Sequence, residues 1–228
     1  MPPDVINADL TDHAPADPSL SDILSRIRAL PPGRHLIALA GPPGAGKSTL
    51  AAALGQALGP DSVVVPMDGF HLDNHLLIPR GLLARKGAPE TFDAAGLLAL
   101  LQRFAAGGAA PYPVFDRTLD LSRAQAGEVT AAHRFIIVEG NYLLLDQPVW
   151  RDMAALWSLA IRLKVPEAEL ERRLVARWLD HGLDADAALA RAQGNDLPNA
   201  RLVLTGSLPG DLDWSPTPLS ETTLRSAG

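Results

Sequence analysis

The run Gly41-Pro42-Pro43-Gly44-Ala45-Gly46-Lys47-Ser48-Thr49 has the residue types and spacing of a phosphate cradle. It fits the pattern G-x-x-x-x-G-K-[ST] in full, between a short apolar run and an Ala/Leu-rich stretch. A triphosphate needs many N–H donors converging on its oxygens. Gly41, Gly44 and Gly46 let the backbone curl close, with Ala45 and Thr49 completing the loop, and the N-terminus of the helix that follows adds positive potential. Lys47 can reach the β- and γ-phosphates as a point charge, and Ser48 can offer its hydroxyl to Mg²⁺. A nucleoside triphosphate with Mg²⁺ is therefore expected.

Two carboxylates occupy comparable places further on. Asp68 directly follows the apolar run Val63–Met67, and Glu139 follows Phe135–Val138. Both runs read as buried strands, and open parallel sheets bind ligands at the carboxyl ends of their strands. Lys47, Asp68 and Glu139 should then meet in one cleft. An acceptor hydroxyl needs a base, and Mg²⁺ needs an anionic or water-mediated partner. Asp68-Gly69 taken alone reads equally well as a turn. Asp68, His71 and His75 could suggest zinc, but no third soft ligand accompanies them, so the histidines read as hydrogen-bonding groups beside an acceptor pocket. Arg80, Arg85, Lys86 and Arg117 lie in Pro/Gly-punctuated segments and suit either a substrate wall or solvated loops. Phe70, Tyr112 and Phe115 could line that wall or close a small core. Arg173 and Arg177 share one helical face, where they either pair with acidic neighbours such as Glu169 or reach toward phosphate.

The elements that would position these residues alternate. Ser19 opens a Ser-x-x-Asp capping signal, and Leu20, Ile23, Leu24 and Ile27 recur at helical spacing up to the break at Pro31-Pro32-Gly33. Strands are expected at His35–Ala40, Val63–Met67, Phe135–Val138, Leu159–Leu163 and near Leu202–Leu204. Helices are expected at Leu50–Leu58, after the Asp93 cap, from Pro166 to about Asp180, and near Ala185–Ala192. Gly107–Pro113 reads as loop, and the tail from Gly206 has no assignable element. Strands alternating with helices predict an α/β domain with a mainly parallel five-stranded sheet covered on both faces. Residues 1–18 form a lead-in, and 19–228 a single domain.

Composition bounds the function. The chain has 228 residues, 47% of them hydrophobic, a net charge of −6 and no cysteine. That excludes disulfides and thiolate chemistry and disfavours a protein held to nucleic acid by phosphate contacts. No stretch reaches the ~18 apolar residues of a membrane span, and the N-terminus lacks a signal-peptide layout. A cytoplasmic protein handling a small molecule is expected, with pairing of two copies left open. Asn-Lys-x-Asp and Leu-Ser-Gly-Gly-Gln are absent, and Glu139-Gly140 is not the Asp-Glu of many mechanical ATPases.

The loop, Met67-Asp68-Gly69-Phe70-His71, Pro89-Glu90-Thr91-Phe92-Asp93, Pro113-Val114-Phe115-Asp116-Arg117 and Val138-Glu139-Gly140-Asn141 occur in the order seen in one group of kinases. Over roughly Leu36 to Val203 the chain resembles the phosphoribulokinase/uridine kinase family, with type I pantothenate kinases as further relatives and a bacterial nucleoside kinase-like or fructose-transport-system kinase-like subgroup nearest. The resemblance implies a P-loop NTPase fold, a three-layer α/β/α sandwich. It implies that Asp68 is the catalytic base and that Glu139 supports metal and acceptor. It places His71, Lys86, Tyr112, Asp116 and Arg117 around the acceptor, and a lid over about 166–182 carrying Arg173 and Arg177, with Gly182 as hinge. Asn195 or Asn199 would bond the adenine from a loop before the last strand, a segment that reads equally well as a plain turn. Phe115 stands where uridine kinases place a tyrosine, so pyrimidine specificity does not carry over. The resulting expectation is ATP-dependent phosphorylation of a hydroxyl on a sugar, nucleoside or vitamin precursor. The alternative is a regulatory ATPase without a small acceptor.

Overall fold

The structure, a computed structural model, describes residues 18–215; the lead-in before Pro18 and the tail beyond residue 215 lie outside it. In chain order the elements are α1 (Leu20–Arg28), β1 (His35–Ala40), α2 (Lys47–Leu58), β2 (Ser62–Pro66), α3 (Asn74–Leu77), α4 (Ala94–Ala105), β3 (Ala110–Asp116) and β4 (Leu121–Val129). They continue with β5 (Phe135–Gly140), β6 (Leu159–Leu163), α5 (Glu167–Asp180), α6 (Ala185–Arg191), α7 (Leu197–Gly206) and β7 (Leu212–Trp214).

Five strands form one sheet in the order β2-β5-β1-β6-β7, and every pairing in it is parallel. The central strand is buried along its whole length, which explains its unbroken apolar sequence. Its side chains alternate between two cores. Leu36, Ala38 and Ala40 face Leu97, Leu101 and Phe104 of α4. Ile37 and Leu39 face Ile23 and Ile27 of α1, Leu50 and Leu54 of α2, and Leu170 and Leu174 of α5. Helices thus cover both faces, and the three-layer α/β/α sandwich is as expected.

Local signals behave as the residue types dictate. Ser19 and Asp22 close a reciprocal capping box, and the Asp93 carboxylate accepts from the Gly96 N–H at 2.8 Å. Helix α5 ends where Gly182, at φ +88°, lets the Leu183 N–H reach back to the Trp178 carbonyl.

Two expectations are corrected. Leu202–Leu204 is not a strand but part of α7, whose Pro198 sits in the first turn where its missing N–H costs nothing. The fifth strand is β7, held to β6 by Arg162, which donates two hydrogen bonds to Asp213 at 2.7 and 3.0 Å. Much of Gly107–Pro113 is not loop: β3 and β4 form an antiparallel hairpin outside the main sheet. Its prolines are tolerated because a two-stranded ribbon is all edge, and the register shifts beside Pro113.

Candidate active site

The loop between β1 and α2 folds as a cradle because Gly44 and Gly46 adopt φ +81° and +91°, a region that side chains disfavour. Gly44, Gly46, Lys47, Ser48 and Thr49 line a cleft of about 850 Å³. Gly41 and Ala45 do not line it. Gly41 packs against Leu163, and Ala45 is buried, so both serve the loop's shape. Lys47 is buried; its ammonium donates to the Pro42 carbonyl at 3.0 Å and to Asn141 Oδ1 at 2.7 Å. The Ser48 hydroxyl donates to Glu139 Oε1 at 3.0 Å.

Register places the carboxylates. Glu139 of β5 lies level with Leu39 of β1 and Pro66 of β2. Asp68 follows two residues beyond Pro66, in a tight turn at the same end of the sheet. Gly69 has no alternative there, since a Cβ would lie 2.0 Å from the Pro113 carbonyl oxygen. This close approach brings the hairpin to Asp68, whose Oδ2 accepts from Arg117 Nη2 at 2.9 Å. Burial pulls the Lys47 ammonium below the ordinary lysine range, against the attraction of Glu139 and Asp68. Burial pushes the Glu139 carboxyl up, against the pull of Lys47. Desolvation therefore outweighs the mutual attraction, and the cleft is primed for ligands that restore favourable charge.

Helix α5 supplies the third wall. Arg173 donates to Glu169 Oε1 at 2.6 Å and lies near the Gly44 carbonyl. Arg177 lies 3.3 Å from Asp196 Oδ2, which also accepts from Trp178 Nε1 at 2.6 Å. Arg172 points to Glu169 and away from the cleft. Two hydrogen-bonded arginines hold the Glu169 carboxyl down at about 2.

No protein-family model matches the chain. The Escherichia coli K12 protein YggC is 37% identical over 199 residues, 85% of this chain and 83% of that one. A Schizosaccharomyces pombe protein named provisionally as uridine kinase C227.14 is 35% identical over 192 residues, 78% of this chain and 82% of its own. Among solved structures, a Silicibacter sp. TM1040 protein, provisionally a fructose transport system kinase, superposes with a TM-score of 0.82 at 53% identity, covering 86% of this chain and 99% of that one. The chain belongs to the phosphoribulokinase/uridine kinase family. It is a small-molecule kinase built on a P-loop.

Within this kinase, most expected site residues do meet. Lys47, Ser48, Asp68, His71, Lys86, Arg117, Glu139, Arg173, Arg177 and Asn199 all border the cleft. Three do not. Tyr112 is buried in the core, its hydroxyl donating to the Val64 carbonyl at 2.9 Å; Phe115 takes the wall instead. Asp116 caps the hairpin turn, accepting from the Thr118 and Leu119 N–H groups at 3.1 Å. Asn195 is buried in a π-helical turn, Ala192–Asp196, and donates its amide to the Lys86 carbonyl at 2.9 Å. Asn199 stands on α7 and donates to Asn195 Oδ1 at 3.4 Å, so neither belongs to a loop before a strand. His75 is exposed on α3 and outside the cleft.

The sequence reading missed Asn141, Asn74, Asp120, Arg191 and Asp196, all of which line the cleft. Only Asn141 carried a usable signal, two residues past Glu139. The candidate Mg²⁺ donors fit the ion: a hydroxyl and a carboxylate, 3.0 Å apart, at a helix N-terminus. Magnesium is commonly held by few protein oxygens together with substrate phosphates.

His71 sits between Phe92 and Phe115, with ring centroids 4.1 and 4.6 Å away. Burial lowers its pKa below the ordinary 6.5, although Asp68 opposes the shift. The folded chain thus favours neutral imidazole, and the unfolded chain takes up the proton first. Stability is expected to fall progressively as pH drops below 6.5, toward the lower folded value. Urea midpoints measured across that range should show the decline in the native chain and a smaller one in His71→Phe.

Proposed function

We propose that this chain transfers the γ-phosphoryl of ATP to a hydroxyl of a small metabolite, with Mg²⁺. The observation that supports this best is the single cleft in which Lys47, Ser48 and Glu139 face Asp68 and Arg117. A hydrolase needs no second half of this kind; an acceptor does.

The loop amides, Lys47, Arg173 and Arg177 would hold the triphosphate and neutralise charge on the transferring group. Bound through Ser48 and Glu139, Mg²⁺ would add positive charge at the phosphate oxygens. The Asp68 carboxylate takes the acceptor's hydroxyl proton as that oxygen bonds to the γ-phosphorus. The bond from phosphorus to the bridging oxygen breaks, and ADP leaves with the electron pair. The nucleoside end has room in a cavity of about 360 Å³ beside Pro42, walled by Lys164, Val165, Pro166 and Val203.

A panel of sugars, nucleosides and vitamin precursors, screened for acceptor-dependent ADP release, tests the reading. Basal hydrolysis should be slow, and phosphate should appear on the acceptor. Arg173→Ala and Arg177→Ala should each lower transfer by roughly 10²-fold, in line with other charge-stabilising contacts. Brisk hydrolysis that ignores every acceptor and both arginines would point to a regulatory ATPase instead.

A further inference from the structure

The charges in the acceptor half of the cleft cancel within the protein. Lys86 is nearly buried, and its ammonium spends its three donors on the chain. They go to Asn74 Oδ1 at 2.8 Å, the Asp120 carbonyl at 2.8 Å and Asp120 Oδ1 at 2.9 Å. Arg117 is paired with Asp68 at 2.9 Å. On the flanks, Arg85 pairs with Glu90 at 2.8 Å and Arg123 with Asp116 at 3.6 Å. The opposite half differs. There Arg177 and Arg191 lie 5.1 and 5.3 Å from the Trp178 ring and, with Arg173, still outnumber the carboxylates that face them, Asp196 beside Arg177 and Glu169 beside Arg173.

We propose that the phosphoryl acceptor is an uncharged sugar, free or as a nucleoside, and that carboxylate- or phosphate-bearing acceptors are selected against. This rests on the kinase reading above and narrows it. An anionic group entering the acceptor half finds Lys86 fully engaged. It could turn only to Arg117, and there it would share a guanidinium with Asp68, the base. Two anions so placed repel, and Asp68 would lose its partner. Neutral hydroxyls meet the reverse situation. Asp68, Asn74 and Asp120 offer acceptors, Asn74 and Arg117 offer donors, and the Phe115 ring gives a flat apolar wall for a sugar's C–H face.

The test compares the full chain on two matched acceptor sets: pentoses, hexoses, polyols and nucleosides, against their phosphates and hydroxy acids. The kcat/KM of the best neutral acceptor should exceed that of every anionic one by at least roughly 10-fold. Asp120→Asn removes one negative charge beside Lys86, and asparagine tolerates the left-handed φ of +52° at that position. This variant should move the ratio roughly 10-fold toward anionic acceptors, with no matching change in the KM for ATP. A native preference for an anionic acceptor would overturn the inference and leave the kinase reading standing. So would a ratio that Asp120→Asn leaves unmoved, since charge would not then be what selects. Failure of every acceptor in both sets, alongside steady hydrolysis, would overturn the kinase reading and this inference with it.

Discussion

Lys47→Ala should lower phosphoryl transfer by roughly 10³-fold or more, because a cation aimed at the transferring group acts in a water-poor site where charge is poorly screened. The fold should survive. Lys47 gives up hydrogen bonds to Pro42 and Asn141, but its burial already disfavours the charged form, so its removal also relieves a desolvation cost. The melting temperature of the free protein should stay near the native value or rise. What disappears is stabilisation by ATP, which for the native chain reaches about 2.7 kcal/mol at a ligand concentration 100 times Kd. Thermal shift with and without MgATP, beside turnover, checks both halves. Near-normal turnover in the variant would remove the loop from the catalytic ATP site.

Asp68→Asn should cut kcat by roughly 10²- to 10⁴-fold, the usual contribution of a positioned general base. ATP affinity should be spared, since Asp68 stands at the end of β2, across the cleft from the loop. The amide keeps the shape of the turn and can still accept from Arg117, but it cannot take the acceptor's proton. The lost ion pair with Arg117 is exposed on the arginine side, so stability should change by no more than about 1 kcal/mol. ATP titrations and single-turnover rates separate the two roles. Weakened ATP binding with an unchanged rate for bound substrates would assign Asp68 to the nucleotide.

The Asp68–Arg117 pair also shows how far the two halves of the site differ in origin. One half is assembled by the sheet, through parallel register among β2, β5 and β1. The other is assembled by a hairpin that no periodicity announced. Pro111 and Pro113 argue against a strand in the middle of a sheet, and they are admissible here because the hairpin has only edges. Around its register shift, Tyr112 turns to the core and Phe115 to the cleft, a choice between wall and core that residue type left open for both. The run Leu202–Leu204 fails for a different reason: three apolar residues fit a buried strand and a helix equally well, and only the packing of Val203 decides.

What the sequence determined by itself was the phosphate loop, the strands on either side of it and the carboxylates at the strand ends. Nine contiguous residues set their own backbone in the loop, and the apolar runs of β1 and β5 are buried almost throughout, while that of β2, at the sheet edge, is only partly buried. Tertiary structure alone decided which polar groups share the cleft. Lys86 meets Asp120 across 34 positions, Trp178 meets Asp196 across 18, and Asn195 turns inward to the Lys86 carbonyl across 109. Such pairings depend on hairpin register and helix docking, which are fixed by packing over the whole core and leave no mark in the spacing of the residues they bring together.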